Sequence, residues 1–474
     1  MRRTRIVCTI GPCSLNRATL LSLHKAGLSV ARLNGSHANL EWHRDAIRQI
    51  HEVLPEVPIL LDIPGRKIRT TQLAHEPEFS AGDILVLTTD MSHDSKEKVP
   101  VNYLNLHADL SPGDTVMADD GTLRFTVVKV HGQDIHCRAE STGQLKSRKG
   151  INVPFVNLNT PQVTARDNEM IDFACENKVD FIGLSFVESA EHILAISELI
   201  NGRGPRIVAK VENQGGMDRV HEIAEAADAI MIDRGDLSVE TSLHDVTISQ
   251  KTIINAARQH GRPVIVATEM LHTMIDNPFP TKAEVADITN AVLDGCSATM
   301  LSGETAVGLF PLEAVNTMSQ VIDAAEMYSQ AEFKKSDISI ESSVPEMISS
   351  VVPTLCRSLP ITKVVAITRS GYAARMIATH GLCQPIIAVS DDAAAARSFN
   401  LIAGTKGVFS DIPFSRVSAD HIVHVLQILW GKALIGNGDL LLVTGISYPT
   451  LGSRMNTLQI FNAGALAKAL GWEV

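Results

Sequence analysis

Several short apolar runs in this chain end in residues that could act on one substrate. "RIVAKVE" carries Lys210 and Glu212 two positions apart, so on a strand both point to the same side. "AIMIDRGDLSVE", residues 229–240, follows its apolar residues with Asp233, Arg234, Asp236 and Glu240. Carboxylates beside a core are costly unless something pairs with them. If Glu212 and Asp236 close adjacent strands, their carboxylates can converge on one hard divalent cation through oxygen ligands. The other runs close in Arg32 with Asn34 and Ser36, in Asp62, in Ser185, in Thr268, and in Ser302 with Glu304. A cation, the Lys210 ammonium and the guanidinium groups of Arg32 and Arg69 around one cavity suit a substrate bearing phosphate and carboxylate. A single charged strand end often meets only solvent. The ordered recurrence of such ends favours a site. The chain has no Gly-rich loop closing in Gly-Lys-Ser/Thr, so a bound nucleotide is held some other way.

The elements that must position these residues are legible as alternating patterns. "RIVCTI", "SVARLN" and "PILLDI" are followed, after an interruption, by "DFIGLSF", "RIVAKVE", "AIMID", "PVIVAT" and "ATMLS". Each is succeeded by a stretch of helical period. In "PTKAEVADITNAVLDG", Thr281 and Glu284 are spaced as a capping box and Gly295 as a stop. Repeated strand–helix units of this kind predict a (β/α)8 barrel, whose active site lies at the C-terminal ends of the strands. The interruption, 71–151, has turn residues bounding short strands and reads as an inserted β lid between barrel segments 1–70 and 152–335. From 336 to 474, "KVVAIT", "PIIAVS" and "DLLLVTG" predict a C-terminal α/β domain.

Bulk properties narrow the function class. The 474 residues are too many for one core, and 45% hydrophobic with 20% charged is ordinary for a folded globular protein. With 42 basic against 53 acidic residues the net charge is −11, which argues against nucleic acid or an acidic membrane as the main partner. The seven cysteines form no CxxC pair and fit buried thiols in a reducing cytoplasm. The apolar run near the N-terminus is shorter than the roughly 7–15 residues of a signal peptide. Nothing approaches the ~18 residues of a membrane span. A cytoplasmic protein is expected.

Taken together, the motifs resemble the pyruvate kinase family. "RTRIVCTIGPCS", "ARLNGSHA", "LDIPGRKIRT", "KGINVPF", "AKVENQGG", "DRGDLSVE" and "TMLSGETAVGLFPLEAV" follow in family order, and "GDLLLVTG" with "GSRMNT" resembles its C-terminal end. The resemblance implies phosphoryl transfer from phosphoenolpyruvate to ADP, giving pyruvate and ATP, by a homotetramer. It implies Mg2+ (with Mn2+ able to stand in) on Glu212 and Asp236, and substrate contacts from Arg32, Lys210, Gly235, Asp236 and Thr268. Arg69 is expected to grip phosphate as well. Thr268, Ser302 and Glu304 are the candidates for organising proton delivery, with the donor left open. Asn34, His37, Asp120 and Lys149 are expected at the nucleotide. Two rivals stay open: a Mg2+-dependent carbon–carbon lyase of the wider pyruvate-enolate group, and a non-catalytic regulatory paralogue. The lid, Thr268 and Arg69 speak against the first, and intact Lys210, Glu212 and Asp236 against the second.

Departures from the family pattern carry their own expectations. Gly35 stands where Phe is usual, Ile63 for Thr, Lys67 for Glu, Asp233 for Ala, Ser238 for Gly and Glu269 for Gln. Residues matching Asn34, Ser36 and Asp62, together with the missing Thr, are expected to bind K+ in members that need it. With Lys67 supplying a fixed positive charge, independence of K+ is expected here. Asp233 and Glu269 add negative charge near the metal motif. In the C-terminal domain, Thr368, Ser370 and Gly371, with "TGISYPTLGS" facing them, mark a place for a phosphorylated effector.

Overall fold

The computed structural model describes residues 2–472 except 66, 94–97, 120, 157, 159–162, 203, 332–342, 415–419 and 447–454. Eight parallel strands close into a barrel: Arg5–Thr9, Leu28–Asn34, Ile59–Ile63, Phe181–Leu184, Arg206–Val211, Ala229–Asp233, Val264–Ala267 and Ala298–Leu301. These are the eight runs legible in the sequence. Their β-branched, almost wholly buried residues suit strands covered on both faces.

Strand parity sorts the side chains. One set packs outward against the helices and includes Ala209, Ile230, Ile232 and Val266. The other fills the lumen: Val7, Val30, Leu60, Phe181, Val208, Ala229, Met231, Ile265, Ala267, Ala298 and Met300. Continuing the lumen parity toward the strand ends brings in Thr9, Arg32, Asp62, Lys210 and Asp233, and Glu212 just past the fifth strand. The barrel therefore changes from apolar layers to a charged top layer along the same faces.

The helix Lys282–Asp294 has the expected ends. Thr281 and Glu284 form the capping box, and Gly295 takes a left-handed conformation with φ 93°. Between the third and fourth barrel strands lies a six-stranded sheet from Ile84 to Asn152, with a core of its own around Phe125, Ile135 and Val99. The C-terminal domain is a five-stranded sheet centred on Lys363–Ile367, with Thr457–Asn462 as an antiparallel edge. It seals the lower end of the barrel: its Leu401 packs within the lumen layer, and Arg397 Nε donates to Asp180 Oδ1 at 2.8 Å. No helix among the described residues is long and apolar enough to cross a membrane.

Candidate active site

The charged layer centres on Lys210. Its ammonium lies 2.8 Å from Glu212 Oε1, 3.2 Å from Asp233 Oδ2 and 3.5 Å from Asp62 Oδ2, and donates to Ser185 Oγ at 3.2 Å. Burial opposes its charge, but Asp62, Glu212 and Asp233 outweigh that and hold its pKa well above the ordinary lysine value. Arg32, also buried, donates to Asp62 Oδ2 at 2.6 Å and to Thr9 Oγ1 at 3.0 Å. Lys67 pairs with Asp236 Oδ1. Burial pushes the Glu212 carboxyl up, with Lys210 opposing, and burial with the neighbouring Asp233 does the same to Asp236. Asp233 goes the other way: burial would raise it, but Lys210 and Arg32 hold it below the usual carboxylate range.

The donor set fits a hard cation. One oxygen each of Glu212, Asp233 and Asp236 lies within 4.8 Å of the others. Glu212 is fully buried; its Oε2 accepts from Phe186 N–H at 2.5 Å, while Oε1 has no partner in hydrogen-bonding geometry despite the nearby ammonium. One ammonium shared among several buried carboxylates does not balance them all, and a divalent ion on this oxygen would add the missing charge. Phe186 adopts φ 52°, a left-handed conformation that a bulky residue rarely holds, and this aims its N–H at Glu212.

Thr268 sits on the rim in the same unusual region, with φ 65°. Its hydroxyl accepts from Gly235 N–H at 2.9 Å and donates to Ala267 O at 2.6 Å. Arg234 secures that turn by donating to Thr268 O at 2.8 Å and to Asp287 at 2.7 Å. The inserted domain leans on the short helix Arg234–Glu240 that carries Asp236. Asn152 donates to Glu240 at 2.6 Å, and a Cβ on Gly121 would come within 3.2 Å of Val239.

Residues 1–315 match the family model described as pyruvate kinase, barrel domain, and 346–461 match the pyruvate kinase alpha/beta domain. The chain belongs to the pyruvate kinase family. The Bacillus licheniformis pyruvate kinase is 36% identical over 99% of this chain and 82% of its own length. That of Geobacillus stearothermophilus is 37% identical over 95% and 79%. The solved structure of a pyruvate kinase from Cryptosporidium parvum superposes with a TM-score of 0.86 at 32% identity, covering 98% of this chain and 96% of that one. Membership makes the chain a phosphotransferase, and the barrel, inserted sheet and C-terminal domain are the architecture expected of the family.

Against the pyruvate kinase pattern, the structure brings Arg32, Asp62, Lys67, Lys210, Glu212 and Asp236 into one cluster, with Gly235 and Thr268 joined beside it. Arg69 is not drawn in: its guanidinium donates to the Arg148 carbonyl at 3.2 Å, within the inserted domain. Glu304 is buried and accepts from Leu271 N–H at 3.0 Å and Ser302 N–H at 2.7 Å, which ties two rim loops together. The Ser302 hydroxyl is buried and has no hydrogen-bond partner among the described residues. Asn34 Oδ1 accepts from Ser36 N–H at 3.1 Å, and Ser36 and His37 are exposed. Lys149 pairs with Asp119 at 2.6 Å, whereas Asp120 lies outside the described residues. In the C-terminal loop, Thr368 Oγ1 accepts from Gly371 N–H at 3.1 Å and the Ser370 carbonyl accepts from Arg375 at 2.7 Å. Most of "TGISYPTLGS", expected to face this loop, lies outside the described residues.

Sequence reasoning missed Thr9 as a partner of Arg32, the Phe186 N–H and the Asn152–Glu240 contact. Lumen parity was the available signal for Thr9. The other two depend on backbone twist and domain docking. Of the two added acids, Asp233 lies inside the cluster and Glu269 is exposed.

Proposed function

We propose that this site transfers the phosphoryl group of phosphoenolpyruvate to ADP, giving pyruvate and ATP. The observation that carries the reading is a buried ammonium, Lys210, held among carboxylates suited to a divalent cation. Glu212 and Asp236 would hold Mg2+, or Mn2+ in its place, and the ion would supply positive charge to the phosphate, enolate oxygen and carboxylate of the substrate. Lys210 keeps its proton throughout and neutralises charge that develops between phosphoryl group and enolate, in a site where water cannot screen it. Arg32 is held rigid by Asp62 and Thr9, so its guanidinium meets phosphate with little ordering cost. The Thr268 hydroxyl, fixed by Gly235 and Ala267, is placed to orient delivery of a proton to the enolate carbon. Contacts of the inserted domain with Val239 and Glu240 support its role as a lid that keeps water out.

Lys67 extends the proposal to K+ independence. Ile63 offers no side-chain oxygen and its carbonyl accepts from Ser185 Oγ at 3.1 Å, Asp62 Oδ2 is engaged by Arg32, and the Lys67 ammonium sits on Asp236. A fixed ammonium provides the charge that a recruited monovalent ion would otherwise bring. A lactate dehydrogenase-coupled assay with phosphoenolpyruvate and ADP tests both parts. Turnover that needs Mg2+ and persists when tetramethylammonium replaces K+ is the expected result. No pyruvate formation would refute the reaction, and activity appearing only on addition of K+ would refute the role of Lys67.

A further inference from the structure

We propose that Asp233 is a third carboxylate ligand of the divalent-cation site, an inference that rests on the metal-dependent reading above. Asp233 ends the sixth barrel strand on the parity of Ala229 and Met231, so it faces the lumen as Lys210 does. It is 7% exposed, and one of its oxygens lies within 4.8 Å of oxygens of both Glu212 and Asp236. Ligands at the ordinary metal–oxygen distance of about 2.1 Å lie at most about 4.2 Å apart, so a side-chain shift of a few tenths of an ångström is enough to bring all three onto one ion. Glu212 Oε1 is buried outside hydrogen-bonding geometry with only the Lys210 ammonium beside it at 2.8 Å, so it keeps a lone pair for a second cation.

Charge supports ligation over simple pairing with Lys210. Four carboxylates, Asp62, Glu212, Asp233 and Asp236, face three side-chain cations, Arg32, Lys67 and Lys210. Arg32 offsets the charge of Asp62 through Oδ2, and Lys67 takes one oxygen of Asp236. Lys210 alone is then shared between Glu212 and Asp233, leaving a buried negative charge that a divalent cation would balance. A protein ligand at this position replaces one water on the ion and lets the substrate-free enzyme hold its metal more tightly.

The test is Mn2+ binding to the full chain without substrate, followed by electron paramagnetic resonance, with the ion's bound waters counted by relaxation. Asp233→Ala is expected to raise the Mn2+ dissociation constant by about 10- to 100-fold and to add one bound water. Asp233→Asn keeps a neutral oxygen, and is expected to lose affinity without gaining the water. Unchanged affinity in both variants, or weakened affinity with an unchanged water count in Asp233→Ala, would overturn the proposal. Turnover measured in parallel separates the two readings. Inactive wild type with the Mn2+ shift intact condemns only the reaction, and normal turnover with no shift condemns only Asp233.

Discussion

The two ends of the barrel bury carboxylates in opposite ways. At the lower end Asp180 has one oxygen on Ile59 N–H at 2.8 Å and the other on Arg397 at 2.8 Å, and Leu401 closes the lumen beside it. Both oxygens of that carboxylate are met by protein. At the mouth, Asp62 Oδ1 is buried without a hydrogen-bond partner among the described residues, Glu212 Oε1 has only the Lys210 ammonium beside it outside hydrogen-bonding geometry, and Phe186 and Thr268 hold left-handed backbone. The lower end joins two domains; the mouth keeps interactions in reserve for something that arrives. Buried charge by itself therefore says little about function, whereas buried charge with unmet oxygens and strained backbone points to a site.

The largest break in that contrast is expected from Lys210→Met. The fold should persist, because the lumen layers below are apolar, while kcat falls by about 10²- to 10³-fold with a much smaller change in KM. Steady-state kinetics beside a melting curve checks this, and an unchanged kcat would remove Lys210 from the chemistry. Glu212→Gln comes next: the amide cannot balance a divalent charge, so metal affinity should drop by about 10- to 100-fold, read as the Mg2+ concentration giving half-maximal rate. Lys67→Glu should lower activity without restoring a full K+ response, since Ile63 still lacks a side-chain ligand oxygen. A strong K+ activation of that variant would show that one charge alone sets the ion requirement.

The lower end should respond in stability and hardly at all in turnover. Burial raises the Asp180 carboxyl to about 6 from an ordinary 3.8, with Arg397 pulling it back. The folded state thus keeps this proton at higher pH than the unfolded chain does, so its contribution to stability declines as pH rises from about 4 to about 6. Asp180→Asn has no such proton. Relative to wild type its unfolding free energy should climb by up to about 3 kcal/mol across that window and level off above it. Urea titrations at a series of pH values measure the difference, and a flat difference would mean that Arg397 fully offsets the burial.

The sequence alone determined the eight strands, their order and the charged residues that close them, because β-branched runs, helical period and caps are local signals. It also determined that Lys210 and Glu212 share a face, since strand parity is fixed by two-residue repetition. The same parity, followed from Met231, carries Asp233 into the lumen, but parity cannot say how far apart side chains on different strands will lie. Only tertiary structure decided that Lys67 reaches Asp236 across 169 positions, that Arg32 is clamped by Asp62, and that Arg69 stays with the inserted domain. It also decided that Leu401, distant in sequence, fills the barrel floor. These pairings depend on barrel closure, strand stagger and domain docking, which arise from the packing of all the elements together and leave no periodic trace in any one of them.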